Sequence, residues 1–181
     1  MLLEGKHAVI YGAAGSIGGA VARSFAGEGA RVFLAGRTRE TLDAVAAEIR
    51  AAGGAAETAV VDALDEKAVD EHADAVTAEA GGIDISMNAI THPSAHGKPI
   101  AEMELEDFTS EVMTAVSSTF LTARSAARHM VDQRSGVILV FGGTGRPLRD
   151  YYIGGTQVAL GAIDLMRRQP PWSWARTVFA L

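Results

Sequence analysis

The feature that most restricts this chain is a turn. Lys6 to Tyr11 is a short, mostly apolar run that stops at Gly12, and glycine then recurs at every third position in Gly12-Ala13-Ala14-Gly15-Ser16-Ile17-Gly18. Immediately beyond it, Ile17, Val21, Phe25 and Ala26 fall at helical spacing, so a helix is expected from about Ser16 to Glu28, ending near Gly29. A buried strand that turns through glycines into a helix is the opening of a strand–helix–strand unit. Absent side chains let the backbone approach a pyrophosphate, and the helix N-terminus supplies unpaired N–H groups and positive potential.

The rest of the chain repeats the alternation. Strands are expected over Arg31–Ala35, Ala56–Val61, Ile83–Met87 and Val137–Phe141. Helices are expected over Arg39–Ala52, Glu66–Ala80, Leu105–Gln133 and, last, about Gly154–Arg168. Gly53-Gly54 and Gly81-Gly82 close two of them, and Ile90 to Ile100, with two prolines and Gly97, reads as a loop. Apolar strands alternating with helices imply a parallel sheet covered on both faces. The fold class is therefore α/β, a Rossmann-type doubly wound parallel sheet with strand order 3-2-1-4-5.

Composition narrows the function. Of 181 residues, 48% are hydrophobic and 21% charged, too apolar for a disordered chain. No apolar stretch approaches the ~20 residues of a membrane span, and the N-terminus does not read as a signal peptide. A chain with no cysteine has no disulfide, thiol nucleophile or thiolate metal site, which fits a cytoplasmic location. A net charge of −6 argues against a nucleic-acid partner. His92 and His96 are four apart, but Pro93 and Gly97 break a helical metal face, so no metal site is expected.

The end of the second strand addresses the cofactor's ribose. A site for NAD places a carboxylate about 20 residues past the glycines to bind the 2′-hydroxyl. Here Gly36 stands there and Arg37 follows, with Arg39 nearby to assist. A guanidinium without a carboxylate suits a 2′-phosphate, so NADP is favoured over NAD.

With these residues in view, the chain resembles the short-chain dehydrogenase/reductase family from about Leu3 to Arg168. The resemblance implies an NADP-dependent oxidoreductase that transfers hydride to or from a small carbonyl or alcohol. It implies an adenine contact at Asp62 with Ala63, and it matches Met87-Asn88-Ala89-Ile90 to the family's Asn-Ala-Gly segment except for the last glycine. In the family's Gly-x-x-x-Gly-x-Gly loop, Ser16 replaces the middle glycine and Gly15 stands beside it. The cofactor-binding set is thus Gly12, Gly15, Ser16, Ile17, Gly18, Arg37, Asp62, Ala63, Asn88 and Ala89. Thr119 to Arg124 is similar to the family's long interface helix, implying a homodimer or tetramer through the helices at 105–133 and 154–168.

The resemblance fails at the chemistry. The family uses a serine to orient the carbonyl, a tyrosine as proton donor, a lysine four residues later to lower the phenol's pKa, and a helix asparagine. A free phenol titrates near ~10, so the cation is what makes it useful at neutral pH. The alignment puts Ala115 at the asparagine and Gly143 at the serine. The ungapped register, matching Gly161 to Arg168, puts Thr156 at the tyrosine and Leu160 at the lysine. A second register uses Tyr152 after a four-residue deletion; in the ungapped one, Tyr152 lies about 6 Å along the helix from the tyrosine position. Residual acid chemistry falls to Tyr152 or Tyr151 with the hydroxyl of Thr144, against the alternative that the aromatics only pack over the cleft. A non-catalytic NADP-binding protein, or an inactive truncated member, is the competing function.

Residues 1–169 form the nucleotide-binding domain and 170–181 a tail outside the family pattern. Pro171 to Leu181 is what a G/C-rich coding sequence for Ala-Leu-Glu-Leu-Gly-Pro-His-Gly-Val-Arg-Val yields when read one base out of frame. The expectation is a frameshift near codon 170, a chain lacking the family's last two strands, and a fifth strand left as an exposed edge.

Overall fold

The computed structural model describes residues 1–91, 97–142, 154–168 and 179–180. The strands are β1 (His7–Tyr11), β2 (Arg31–Gly36), β3 (Ala55–Val60), β4 (Ile85–Asn88), β5 (Val137–Val140) and a two-residue β6 (Phe179–Ala180). The helices are α1 (Ser16–Gly27), α2 (Arg39–Ala51), α3 (Glu66–Ala80), α4 (Leu105–Gln133) and α5 (Thr156–Arg167), with a 3₁₀ turn at Ile100–Glu102. All strand pairs are parallel, in the order β3-β2-β1-β4-β5-β6.

The first five positions follow the order expected from the sequence. The sixth corrects an expectation: β5 is not left bare, because Val137 and Ile138 pair with Phe179 and Ala180. Two residues near the C-terminal end suffice, since ladder pairing uses backbone groups that every residue but proline carries.

Two apolar layers hold the sheet. On one face α1 and α2 bury Ala22, Leu42, Ala46 and Ile49 against Ala8, Ile10, Val32 and Leu34. On the other, α3 and α4 bury Val69, Ala73, Val76, Ala126 and Met130 against Val9, Tyr11, Phe33 and Ala35. Alternate residues of β1 and β2 serve opposite faces, as the two-residue period of a strand requires. The edge strand β3 departs from the all-apolar pattern: Glu57 pairs with Arg31, and Thr58 donates to Asp43 at 2.7 Å. A smaller cluster, Ala115, Ala159 and Ile163 with Val140, joins α4 to α5.

Caps explain where the helices begin and end. Asp65 accepts the Ala68 N–H at 3.1 Å at the start of α3, and Gly81 closes that helix with a left-handed φ of 84°. The acidic run at 102–107 supplies the N-cap Glu104 and the first-turn residues Glu106 and Asp107 of α4, where the helix dipole favours negative charge.

Candidate functional site

The sheet order reverses between β1 and β4, and ligands of open α/β sheets bind at such a switch point, beyond the carboxyl ends of the strands. A cleft of about 300 Å³ opens there. Its walls come from the residues that follow each strand: Gly12 and Gly15 after β1, Gly36, Arg37, Thr38 and Thr41 at β2, Asp62, Ala63 and Leu64 after β3, and Ala89, Ile90 and Thr91 after β4. Thr114 of α4 closes one side.

Two glycines shape this cleft by what they lack. Gly12 has φ +77°, and a Cβ there would meet the Ala89 carbonyl oxygen at 2.6 Å. A Cβ on Gly18 would reach the Gly12 carbonyl oxygen at 2.3 Å. The first helix therefore presses against the β1 turn more closely than any side chain permits. Gly15 caps α1 without a side-chain acceptor, and α1 has no acidic residue in its first turn. Helix geometry leaves the amides of Ser16, Ile17 and Gly18 without acceptors four residues back, with the dipole's positive end beside them. These features fit a pyrophosphate.

Of the residues expected to bind cofactor, Gly12, Gly15, Arg37, Asp62, Ala63 and Ala89 lie on the cleft wall. Ser16, Ile17 and Gly18 form the first turn of α1, next to Gly15, and are absent from the wall. Arg39 opens α2 and is absent from the wall. Asn88 is buried beneath it: its Oδ1 accepts the Ile90 N–H at 2.9 Å, and its Nδ2 donates to the Ser118 hydroxyl at 3.2 Å. That clamp ties the end of β4 to α4 and holds the Ala89–Ile90 wall in place. Asp62 turns its own chain by accepting the Leu64 N–H at 3.0 Å. Thr38, Thr41 and Thr114 were not read from the sequence, because isolated threonines carry no spacing signal.

Below the cleft, Tyr11 is buried with its hydroxyl 3.4 Å from His72 Nδ1. Burial, and then the charge of Asp70, raise the Tyr11 phenol above its ordinary range. Burial lowers His72 to about 4. Both stay neutral near pH 7, so neither exchanges protons with a ligand there.

Thr144, Tyr151, Tyr152 and Gly143 lie outside the described residues. Of the residues that the sequence reading set against the family's asparagine and lysine, Ala115 is buried inside α4 and Leu160 belongs to α5. Thr156 opens α5 and donates its hydroxyl to the Glu111 carboxylate.

A doubly wound sheet with a phosphate-sized glycine turn at its switch point defines a dinucleotide-binding α/β protein. The chain belongs to the short chain dehydrogenase family, whose model matches residues 6–145. It is 35% identical over 137 residues to the D-threitol dehydrogenase of Mycolicibacterium smegmatis, covering 76% of this chain and 52% of that one. Among solved structures, it is similar to an NAD⁺-bound xylitol dehydrogenase at TM-score 0.91 and 26% identity, covering 99% of this chain and 70% of that one. A metagenomic short-chain oxidoreductase in complex with NADP matches at TM-score 0.86 and 27% identity, over 99% and 81% of the two chains. The chain spans about half the length of the curated relatives it matches.

Proposed function

We propose that this chain is an NADP-dependent oxidoreductase that acts on a small carbonyl or alcohol by hydride transfer. One observation carries the cofactor preference: Arg37 stands on the cleft rim at the end of β2, where Gly36 supplies no carboxylate. A guanidinium there forms paired, charge-assisted hydrogen bonds to a 2′-phosphate. Gly12, Gly15 and the first-turn amides of α1 receive the pyrophosphate, Asp62 and Ala63 border the adenine, and Asn88 holds Ala89 and Ile90 against the cofactor. When bound, the nicotinamide supplies the hydride donor or acceptor.

Calorimetric titration with NADPH and NADH tests this reading. NADPH is expected to bind more tightly, and Arg37→Ala to weaken it about 10- to 100-fold while leaving NADH unchanged. Absence of binding to both nucleotides would defeat it. A second reading, an NADP-binding protein without catalysis, is favoured by Ala115 and Leu160 at the positions of the family's asparagine and lysine. Binding without turnover in a carbonyl screen selects it.

We also propose that residues 1–169 are the nucleotide-binding unit and 170–181 a separate tail, of which Phe179–Ala180 form β6. Assembly as a homodimer or tetramer is assigned to α4 and α5, which expose Met113, Phe120, Val158 and Leu165. No helix among the described residues is long and apolar enough to cross a membrane, in keeping with a cytoplasmic placement.

A further inference from the structure

Asn88 is the only asparagine of the chain, and it is buried at the end of β4. Its side-chain amide accepts at one end and donates at the other. The Ile90 N–H lies 2.9 Å from Oδ1, so the oxygen faces the cleft wall and Nδ2 faces α4. There Nδ2 meets two hydroxyls one helical turn apart, Ser118 Oγ at 3.2 Å and Thr122 Oγ1 at 3.4 Å. Ser118 and Thr122 are buried as well, so the amide is satisfied by protein groups.

Both hydroxyls are committed to accepting. Thr122 donates its own hydrogen to the Ser118 carbonyl at 2.8 Å, and Ser118 donates to the Ala115 carbonyl at 3.4 Å. Bonding back to the preceding turn uses the hydroxyl hydrogen and leaves only lone pairs for a third group. Lone pairs suit the Nδ2 end of an amide and repel its oxygen. A reversed amide would set its oxygen against those lone pairs and its Nδ2 against the Ile90 N–H. The two ends of the amide therefore agree on one orientation.

That orientation holds part of the cleft. Ala89 and Ile90 stand on the wall. Their peptide is also the close neighbour of the β1 turn, since a Cβ on Gly12 would lie 2.6 Å from the Ala89 carbonyl oxygen and 2.9 Å from the Ile90 nitrogen. The Ala89 N–H is fixed by backbone, donating to the Tyr11 carbonyl at 2.9 Å. The Ile90 N–H is fixed by a side chain alone, and that side chain is fixed from α4.

We propose that Ser118 and Thr122 are positioning residues for the nucleotide, acting through the Asn88 amide on the Ala89–Ile90 wall. Neither lines the cleft. This rests on the nucleotide-binding reading above. Without the two hydroxyls, a buried Nδ2 group has no acceptor, and the amide loses the contacts that aim its oxygen at Ile90. The wall then leaves its place for part of the time. The nucleotide binds only the fraction of molecules whose wall is in place, and apparent affinity falls by that fraction.

The test titrates NADPH by calorimetry into the full chain as wild type, Ser118→Ala, Thr122→Val, both together, and Thr122→Ser. Each single loss should weaken NADPH about 3-fold and the pair about 10-fold. Thr122→Ser keeps the hydroxyl and should recover what Thr122→Val loses. A merely structural role would lower the melting temperature and leave affinity unchanged, and that result overturns the proposal. With one asparagine in the chain, isotopic labelling of asparagine side-chain nitrogen gives one pair of amide signals by NMR. In the nucleotide-free protein that pair should move in Ser118→Ala and in Thr122→Val, and return towards its wild-type place in Thr122→Ser. Signals that ignore both single substitutions overturn the clamp directly. If the double variant does not fold, the single variants decide by the same two measurements. A wild type that binds no NADPH defeats the nucleotide reading and the proposal with it, a failure distinct from one in which NADPH binds and the hydroxyls do not matter.

Discussion

The two halves of this molecule hold their sites by different means. From β1 to β4, the shape of the cleft is set largely by backbone, glycines without Cβ atoms and strand ends, with Arg37, Asp62 and threonines on its wall. From α4 to α5, the region depends on side chains, and there the ungapped register read from the sequence sets Ala115, Thr156 and Leu160 against the family's asparagine, tyrosine and lysine. A backbone site survives only while the fold does, so sequence drift within it is tightly limited. A side-chain site can be exchanged without disturbing the sheet. The cleft consequently keeps the family's geometry, whereas the α4–α5 junction holds a buried carboxyl–hydroxyl pair.

The sharpest way to break this contrast is to put a side chain where the backbone makes the site. Gly18→Ala places a Cβ 2.3 Å from the Gly12 carbonyl oxygen. It should cost at least about 3 kcal/mol, lowering the melting temperature by roughly 10 °C and abolishing nucleotide binding. A melting temperature within a degree or two of wild type would show that the turn tolerates a side chain.

His72 gives the next largest effect, and only in acid. Burial holds it at about 4 against an ordinary 6.5. Above pH 6.5 it is neutral in both folded and unfolded chains and stability is undiminished. Between 6.5 and about 4, the unfolded chain takes up a proton that the folded chain refuses, so stability falls with pH. The loss reaches on the order of 3 kcal/mol at the acid end. Urea unfolding of His72→Gln across this window should show a flatter slope than wild type.

Asn88→Ala tests the clamp between β4 and α4. It removes the acceptor of the Ile90 N–H and the donor to Ser118, which should cost about 2 kcal/mol and weaken NADPH binding in parallel. Equal affinity in the variant would mean that the Ala89–Ile90 wall does not need the clamp.

The smallest expected change in stability lies on the α4–α5 surface. Leu165 is 69% exposed, so Leu165→Ser should alter unfolding free energy by no more than about 0.5 kcal/mol. Size-exclusion chromatography should nevertheless show a shift towards monomer. An unchanged elution volume would remove Leu165 from the interface.

Much of the fold was legible because its signals are local. The helices α3 and α4 match their expected limits, Glu66–Ala80 and Leu105–Gln133, since caps, periodicity and glycine stops sit within each segment. Strand ends were less legible: β4 begins at Ile85, not Ile83, because ladder pairing with β1, not composition, sets the boundary. In the site, Gly12 and Arg37 were readable from spacing relative to β1 and β2. Thr38, Thr41 and Thr114 were not, and outside the cleft Glu111 was not. A single Glu in an α4 segment rich in polar residues looks like a solvated helix face until α5 is packed over it.

The order of elements, the parallel sheet and the glycine turn follow from the sequence alone, because periodicity and missing side chains act over a few residues. That β5 gains a partner in Phe179–Ala180, that Asn88 braces the cleft from beneath, and that Glu111 meets Thr156 were decided only in three dimensions. These contacts join residues 30 to 45 positions apart, and no local pattern encodes which side chains a closed core brings together.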